Sequence, residues 1–301
     1  MGVVIAEVVE RLWPGRVRAI EALTKGITNS NFLVDLGDER VVVRVPGRDT
    51  ALLGIDRVNE IEVGRLAASI GVGPEILLVD DTTGCIVTRF IDGRAVAAEE
   101  LATEPMLAEF VSTLRRVHLA GKVRHHFDGL AVARRQRDET AARGVVAPFD
   151  VTTAFDIAER IAVARPFRPS VLCHNDLLNA NFLHDGALRL VDWEYAGMAD
   201  PFFDLANVAV NNGFAPESEV AMVRHYLGEA DDGAMATLAL MKIVSELRES
   251  MWAVMQMAIS TLDFDFTSYA AERGTNLLAL AEGHDVEELL GLASAFGARG
   301  T

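Results

Sequence analysis

Residues 172–207 read LCHNDLLNANFLHDGALRLVDWEYAGMADPFFDLAN, and three oxygen-bearing side chains in this stretch suit one chemistry. His174-x-Asp176-(x)4-Asn181 is followed by Phe182-Leu183, a turn at Gly186 and the apolar run Leu188 to Val191, which ends in Asp192. A loop leading into a hairpin brings such residues near one another. Moving a phosphoryl group between oxygens asks little covalent work of a protein. It needs a carboxylate to orient the acceptor hydroxyl and take its proton, and oxygen ligands for the Mg²⁺ that neutralises phosphate charge. Asp176 suits the first task. Asn181 and Asp192 suit the second, because Mg²⁺ prefers hard oxygen ligands and keeps several waters. His174 belongs to the same catalytic stretch and reads as a hydrogen-bonder that holds the loop, since Asp176 already serves as base. Asp204 reads as an internal acceptor bracing it.

These residues need elements to position them. After a short amphipathic N-terminal helix, Arg18 to Leu23, Phe32 to Leu36 and Arg40 to Val45 read as strands, with Gly37-Asp38 as a hairpin turn. Asp56 to Ile70 reads as a helix, and a Gly-Val-Gly-Pro break follows at Gly71 to Pro74. Glu75 to Val79 and Cys85 to Phe90 are two further extended runs. Beyond a crossing point at Ile91 to Arg94 the pattern turns helical. One long helix is predicted over Glu99 to Ala120, then a charged loop, a helix over Thr152 to Ala164, and an almost wholly helical stretch from Asp204 onward. The class is α+β: a small N-terminal part with an antiparallel sheet and one helix over residues 1–91, and a larger, mainly helical part over 92–301.

Composition narrows the partners. A net charge of -16 repels polyanions, and no basic patch of size offsets it, so nucleic acid and anionic membrane are excluded as expected partners. Cys85 and Cys173 lie far apart and match no metal or redox spacing, which fits a reducing cytoplasm. No apolar run is long enough to cross a bilayer, so the substrate is expected to be a small molecule met in water. A homodimer is compatible with the sequence.

The string from Cys173 onward resembles the catalytic and metal loops of aminoglycoside phosphotransferases, choline kinases and their protein-kinase relatives. The likeness is tightest to the bacterial members of the choline/ethanolamine kinase family. Their runs Cys-His-Asn-Asp and Ile/Val-Asp-Trp-Glu-Tyr-Ala-Gly-Met, then Asp-Pro and Asp-Leu, are matched at Cys173 to Asp176, Val191 to Met198, Asp200-Pro201 and Asp204-Leu205. The resemblance implies a two-lobed protein-kinase-like fold that binds ATP with Mg²⁺. It implies a phosphate-covering turn at residues 26–31, GITNSN, with Gly26, Thr28, Asn29 and Ser30 facing the nucleotide. It also implies a phosphate-gripping cation at Arg44, paired with Glu60 rather than Glu62, and an adenine-contacting hinge ending in Phe90 and Ile91.

For the acceptor, the resemblance implies a small amino alcohol, choline first and ethanolamine second. Aromatic faces from Trp252, Phe264, Phe266 and Tyr269 would hold it, with Trp193 and Glu194 completing the pocket. One departure stands out: Met255 occupies the place read as that of a second tryptophan in eukaryotic members. The competing readings are a kinase of another hydroxylated molecule (aminoglycoside, thiamine or sugar) and a silent nucleotide-binding pseudokinase. The intact Asp176, Asn181 and Asp192 count against the last.

Overall fold

A computed structural model describes residues 2–23, 29–47 and 50–299. Gly26 and Thr28, expected in the phosphate-covering turn, lie outside them. Helix α1 (Gly2–Leu12) precedes strands β1 (Ala19–Leu23), β2 (Ser30–Asp35) and β3 (Arg40–Val45). Helix α2 (Arg57–Ser69), β4 (Ile76–Asp80) and β5 (Cys85–Arg89) follow, and the five strands form one antiparallel sheet in the order β1-β2-β3-β5-β4.

The two-residue period of a strand gives this sheet two faces. Val41 and Val43 of β3, with Cys85 and Val87 of β5, are buried with Ile5, Val8 and Val9 of α1 in a small apolar cluster. Each such side chain removed from water contributes about 1.5–3 kcal/mol. The alternate residues, Val42, Arg44, Ile86 and Thr88, line a cleft on the other face. The Gly37-Asp38 turn forms as expected: the Leu36 amide donates to the Glu39 carbonyl at 2.9 Å, and Gly37 takes φ 92°, which a side chain would strain. Asp56 caps α2 by accepting from the amides of Val58 and Asn59.

Beyond Arg89 come β6 (Arg94–Ala95), α3 (Ala98–Leu101), α4 (Met106–His118), α5 (Gly129–Ala142), α6 (Val151–Ala164), β7 (Val171–Cys173), β8 (Phe182–His184), β9 (Leu188–Leu190) and β10 (Gly197–Ala199). Helices α7 (Pro201–Asn211), α8 (Pro216–Leu227), α9 (Asp232–Ile259), α10 (Phe266–Glu282) and α11 (Val286–Arg299) complete the body. Strands β6, β8 and β9 form one small sheet, and β7 pairs with β10 in another. The fold is the expected α+β, two-lobed, protein-kinase-like arrangement.

Two expectations fail locally. The single helix over Glu99 to Ala120 is two helices, because Pro105 has no amide hydrogen to donate and disfavours helical geometry at Glu104. The charged segment expected as a loop contains α5, capped by Asp128, whose buried face uses Leu130, Ala133, Gln136 and Thr140 rather than a wide apolar stripe. The larger core gathers residues of α4 to α9 around Phe110, Phe182 and Leu247, and it also takes in Val63 and Ala67 of α2. Helix α9, 28 residues long, is buried on nearly every side from Ala234 to Gln256 and packs against α5, α7, α10 and α11.

Candidate active site

Asp176 lies in the loop between β7 and β8, and that loop is held from beneath. Fully buried Asp204, in the first turn of α7, accepts from the amides of His174 (2.8 Å) and Asn175 (2.7 Å) and from His118 Nε2 (3.0 Å). His118 Nδ1 in turn accepts from the Tyr226 hydroxyl at 2.7 Å. Asn207, one turn along α7, accepts the Leu177 amide at 2.5 Å. Burial lowers the pKa of His174, so its neutral ring donates from Nε2 to the Val191 carbonyl at 3.1 Å and packs against Trp193. His174 does not line the cleft and holds the loop from behind.

Two residues depart from ordinary backbone geometry here. Asn175 and Asp192 have φ of 66° and 67°, in the left-handed region that non-glycine residues enter at a cost of order 1–3 kcal/mol. Asn175 is held there by its amide bond to Asp204 and by its Nδ2, which donates to the Tyr195 carbonyl at 3.0 Å. The turn at Asp192 brings its carboxylate to the cleft, where Arg44 Nη1 donates to Oδ1 at 2.7 Å.

Asp176, Asn181 and Asp192 therefore share one cleft of about 520 Å³ with Arg44, Glu60, Phe90 and Ile91. Asn181 Nδ2 donates to the Asp176 carbonyl at 2.8 Å, which commits its nitrogen and leaves its oxygen as the free acceptor. Together with the partly exposed Asp192 carboxylate this makes a hard oxygen donor set. Arg44 also pairs with buried Glu60, while Glu62 sits on the exposed side of α2. That outcome follows from helical geometry, which turns residues two apart by about 200°.

A second network was not legible in the sequence. Arg57 Nη1 donates to Glu60 (2.7 Å) and Glu194 (3.1 Å), and Arg57 Nη2 donates to Asn29 Oδ1 (2.9 Å). Asn29 Nδ2 completes the ring by donating to Glu194 at 2.8 Å. Glu194 and Trp193, expected to complete the acceptor pocket, both line the cleft. Glu194 also ties Asn29, in the segment expected to cover the phosphates, to α2, and Trp193 packs on His174 and approaches Gly73. Burial raises the carboxyl pKa of Glu194, and Asp192 raises it further, with Arg44 and Arg57 opposing.

At the other end of the cleft stands α9. Arg248, 1% exposed, lies 3.7 Å from Asp176 Oδ1 through Nη1, pairs through the same nitrogen with Glu249, and stacks over the Tyr195 ring at 4.2 Å. Burial pushes the Asp176 carboxyl well above the usual carboxylate range. Arg248 pulls it back, and Glu249, Asp192 and Glu194 push it further. Trp252 and Tyr269 line the cleft beside them, and the Trp252 indole donates to the Tyr195 hydroxyl at 3.0 Å. Buried Phe266 packs on Trp252 (5.9 Å) and exposed Phe264 packs on Tyr269 (6.0 Å), and neither lines the cleft. Met255 is fully buried away from it, and the α9 side chain that faces the cleft one turn before Trp252 is Glu249. The signal for this end was the charged cluster Glu246, Arg248 and Glu249 in a long, largely apolar helix, where buried charge demands partners.

A match to the phosphotransferase enzyme family spans residues 19–240. Ethanolamine kinase 2 of Mus musculus is 27% identical over 300 residues, covering 86% of this chain and 75% of its own length. A choline/ethanolamine kinase family protein from Mesorhizobium loti superposes with a TM-score of 0.80 at 28% identity, over 98% of this chain and 100% of that one. The choline kinase LicA from Streptococcus pneumoniae shares the fold, with a TM-score of 0.76 at 22% identity over 93% of this chain and 99% of that one. With a cleft that gathers two aspartates, an asparagine and a paired arginine, and with a family match across most of its length, this chain belongs to the phosphotransferase enzyme family and is a small-molecule kinase.

Proposed function

We propose that this kinase moves the γ-phosphoryl group of ATP, in the presence of Mg²⁺, to the hydroxyl of a small amino alcohol of the choline and ethanolamine class. The observation that carries this reading is the acceptor end of the cleft. Asp176 and Glu249 stand either side of one guanidinium nitrogen, with Trp252 and Tyr269 beside them. Two acidic side chains sharing one arginine suit an acceptor carrying a positive charge.

Asp176 orients the acceptor hydroxyl and takes its proton. Arg44, held by Glu60, grips the phosphates, and its guanidinium fork suits their oxygens. Asn181 and Asp192 fit Mg²⁺ by donor chemistry, as two hard oxygens beside a solvent-open cleft where the ion keeps its remaining waters. When bound, Mg²⁺ neutralises developing phosphate charge. Asn29 and Ser30 belong to the phosphate-covering turn. The apolar slot of Val42, Ile76 and Ile86 receives the adenine. The Phe90 amide is already bonded to the Arg40 carbonyl, so the hinge contact falls to the Phe90 carbonyl and the Ile91 backbone. In this reading residues 1–91 bind nucleotide, and residues 92–301 carry the catalytic loop and acceptor pocket.

The test is ADP release with ethanolamine, choline, an aminoglycoside, thiamine and a sugar, each with and without EDTA. The expected result is turnover led by the amino alcohols and abolished by EDTA. Turnover led by another class, or without acceptor dependence, contradicts the reading.

A further inference from the structure

The acceptor end holds more than a base and a pair of rings. Glu249 is 2% exposed, lines the cleft, and spends one oxygen on Arg248. Its other oxygen accepts from the Tyr269 hydroxyl across 3.4 Å, a long bond. An ionised carboxylate offers about four lone-pair positions, so Glu249 retains acceptor capacity on its cleft side. Three residues along α9 the Trp252 indole lies on the same helix face, since residues three apart are neighbours there.

The aromatic surface here is thin. A quaternary ammonium has no N–H to donate and relies on ring faces within about 6 Å. Of the five aromatic residues expected around it, Phe264 and Phe266 do not line the cleft and Trp193 packs on His174, so the acceptor end is left with Trp252, Tyr269 and Tyr195, whose ring Arg248 covers at 4.2 Å. The Trp252 ring is met edge-on by both Phe266 and Tyr269. A primary ammonium has the opposite needs: three N–H donors that seek oxygens, which Glu249 and the Tyr269 hydroxyl supply. The spacing agrees. Arg248 Nη1 touches both carboxylates, so Asp176 and Glu249 are separated by little more than one atom and its contacts. A hydroxyl and an amine two carbons apart, about 3–4 Å by standard bond lengths, span that gap.

We propose that Glu249, assisted by the Tyr269 hydroxyl, is a specificity-determining residue that selects a primary-ammonium amino alcohol over its N-methylated and quaternary analogues. The proposal rests on the amino-alcohol reading above and reverses the sequence-based order, which placed choline first. A site that hydrogen-bonds a substrate N–H discriminates strongly against the analogue lacking it, because its buried acceptors are then left unpaired.

The test is kcat/KM for ethanolamine, N-methylethanolamine, N,N-dimethylethanolamine and choline, with wild-type protein and Glu249→Gln. For wild type the value falls along the series, and the last step, which removes the final N–H donor, costs at least about 10-fold. Glu249→Gln keeps the side-chain shape, lowers the ethanolamine value at least about 10-fold mainly through KM, and flattens the series. Choline equal to or better than ethanolamine in the wild type overturns the proposal without any variant. So does a Glu249→Gln protein that binds ATP like wild type and loses the same factor on all four amines. Turnover of none of the four by wild type instead overturns the amino-alcohol reading itself, and this proposal with it.

Discussion

At the phosphate end of the cleft Arg44 and Arg57 stand among Glu60, Asp192 and Glu194, whereas at the acceptor end one guanidinium, Arg248, serves both Asp176 and Glu249. The phosphate-end charges come from β3, α2 and the segment after β9, so their pairing also ties the sheet to the helical body. Asn59 adds to that tie, its Nδ2 donating to the Ala196 carbonyl at 2.7 Å. In the proposed reading, nucleotide binding there would be an exchange of partners, with phosphate oxygens replacing part of what Asp192 gives Arg44. The acceptor end is built on adjacent residues of α9, buried among aromatic rings, and its charges have few alternative partners. Removing the cation should therefore act mainly on function at the first end and on stability at the second.

The largest effect is expected from Asp192→Ala, which removes the carboxylate proposed for the metal. Turnover falls at least about 10³-fold while the thermal unfolding midpoint stays near wild type. Next, Arg248→Met strands two buried carboxylates and costs about 3–4 kcal/mol of unfolding free energy in a denaturant titration at pH 8. Loss of activity with unchanged stability would break the contrast between the ends. Arg44→Met is expected to raise the KM for ATP about 100-fold, with a smaller stability cost because Arg57 still faces Glu60.

The smallest effect concerns Glu246, also on α9. Burial pushes its carboxyl up to about 7 from 4.5, against the pull of Arg273 at 3.4 Å. A raised carboxyl favours folding fully below the unfolded value and loses that advantage as pH rises through the folded one. Stability should thus fall between about pH 4.5 and 7, and Glu246→Gln should remove about 2 kcal/mol of that fall in paired denaturant titrations. Parallel pH profiles for the two proteins would show that the pair is solvated.

The phosphate end and the catalytic loop were largely legible in the sequence. Phosphoryl transfer concentrates its base and oxygen donors in one loop and hairpin, and strand alternation puts Arg44 on the cleft face of β3. The acceptor end was less legible, because it depends on the rotation of a long, largely apolar helix. Read from sequence, Met255 seemed to be the telling departure; in the fold it is buried, and Glu249 faces the cleft. Helix α5 was missed for a related reason, since its inward face is small and polar. Arg57 carried no role in the sequence reading, because apart from Glu60 its partners, Asn29 and Glu194, come from distant segments.

The most direct test of the account is single-turnover transfer of the γ-phosphoryl group from ATP to ethanolamine by wild type and by Asp176→Ala, with folding and ATP binding checked in both. The account predicts acceptor phosphorylation by wild type and a rate at least about 10³-fold lower in a folded, ATP-binding variant. A variant that transfers phosphate at close to the wild-type rate would contradict it.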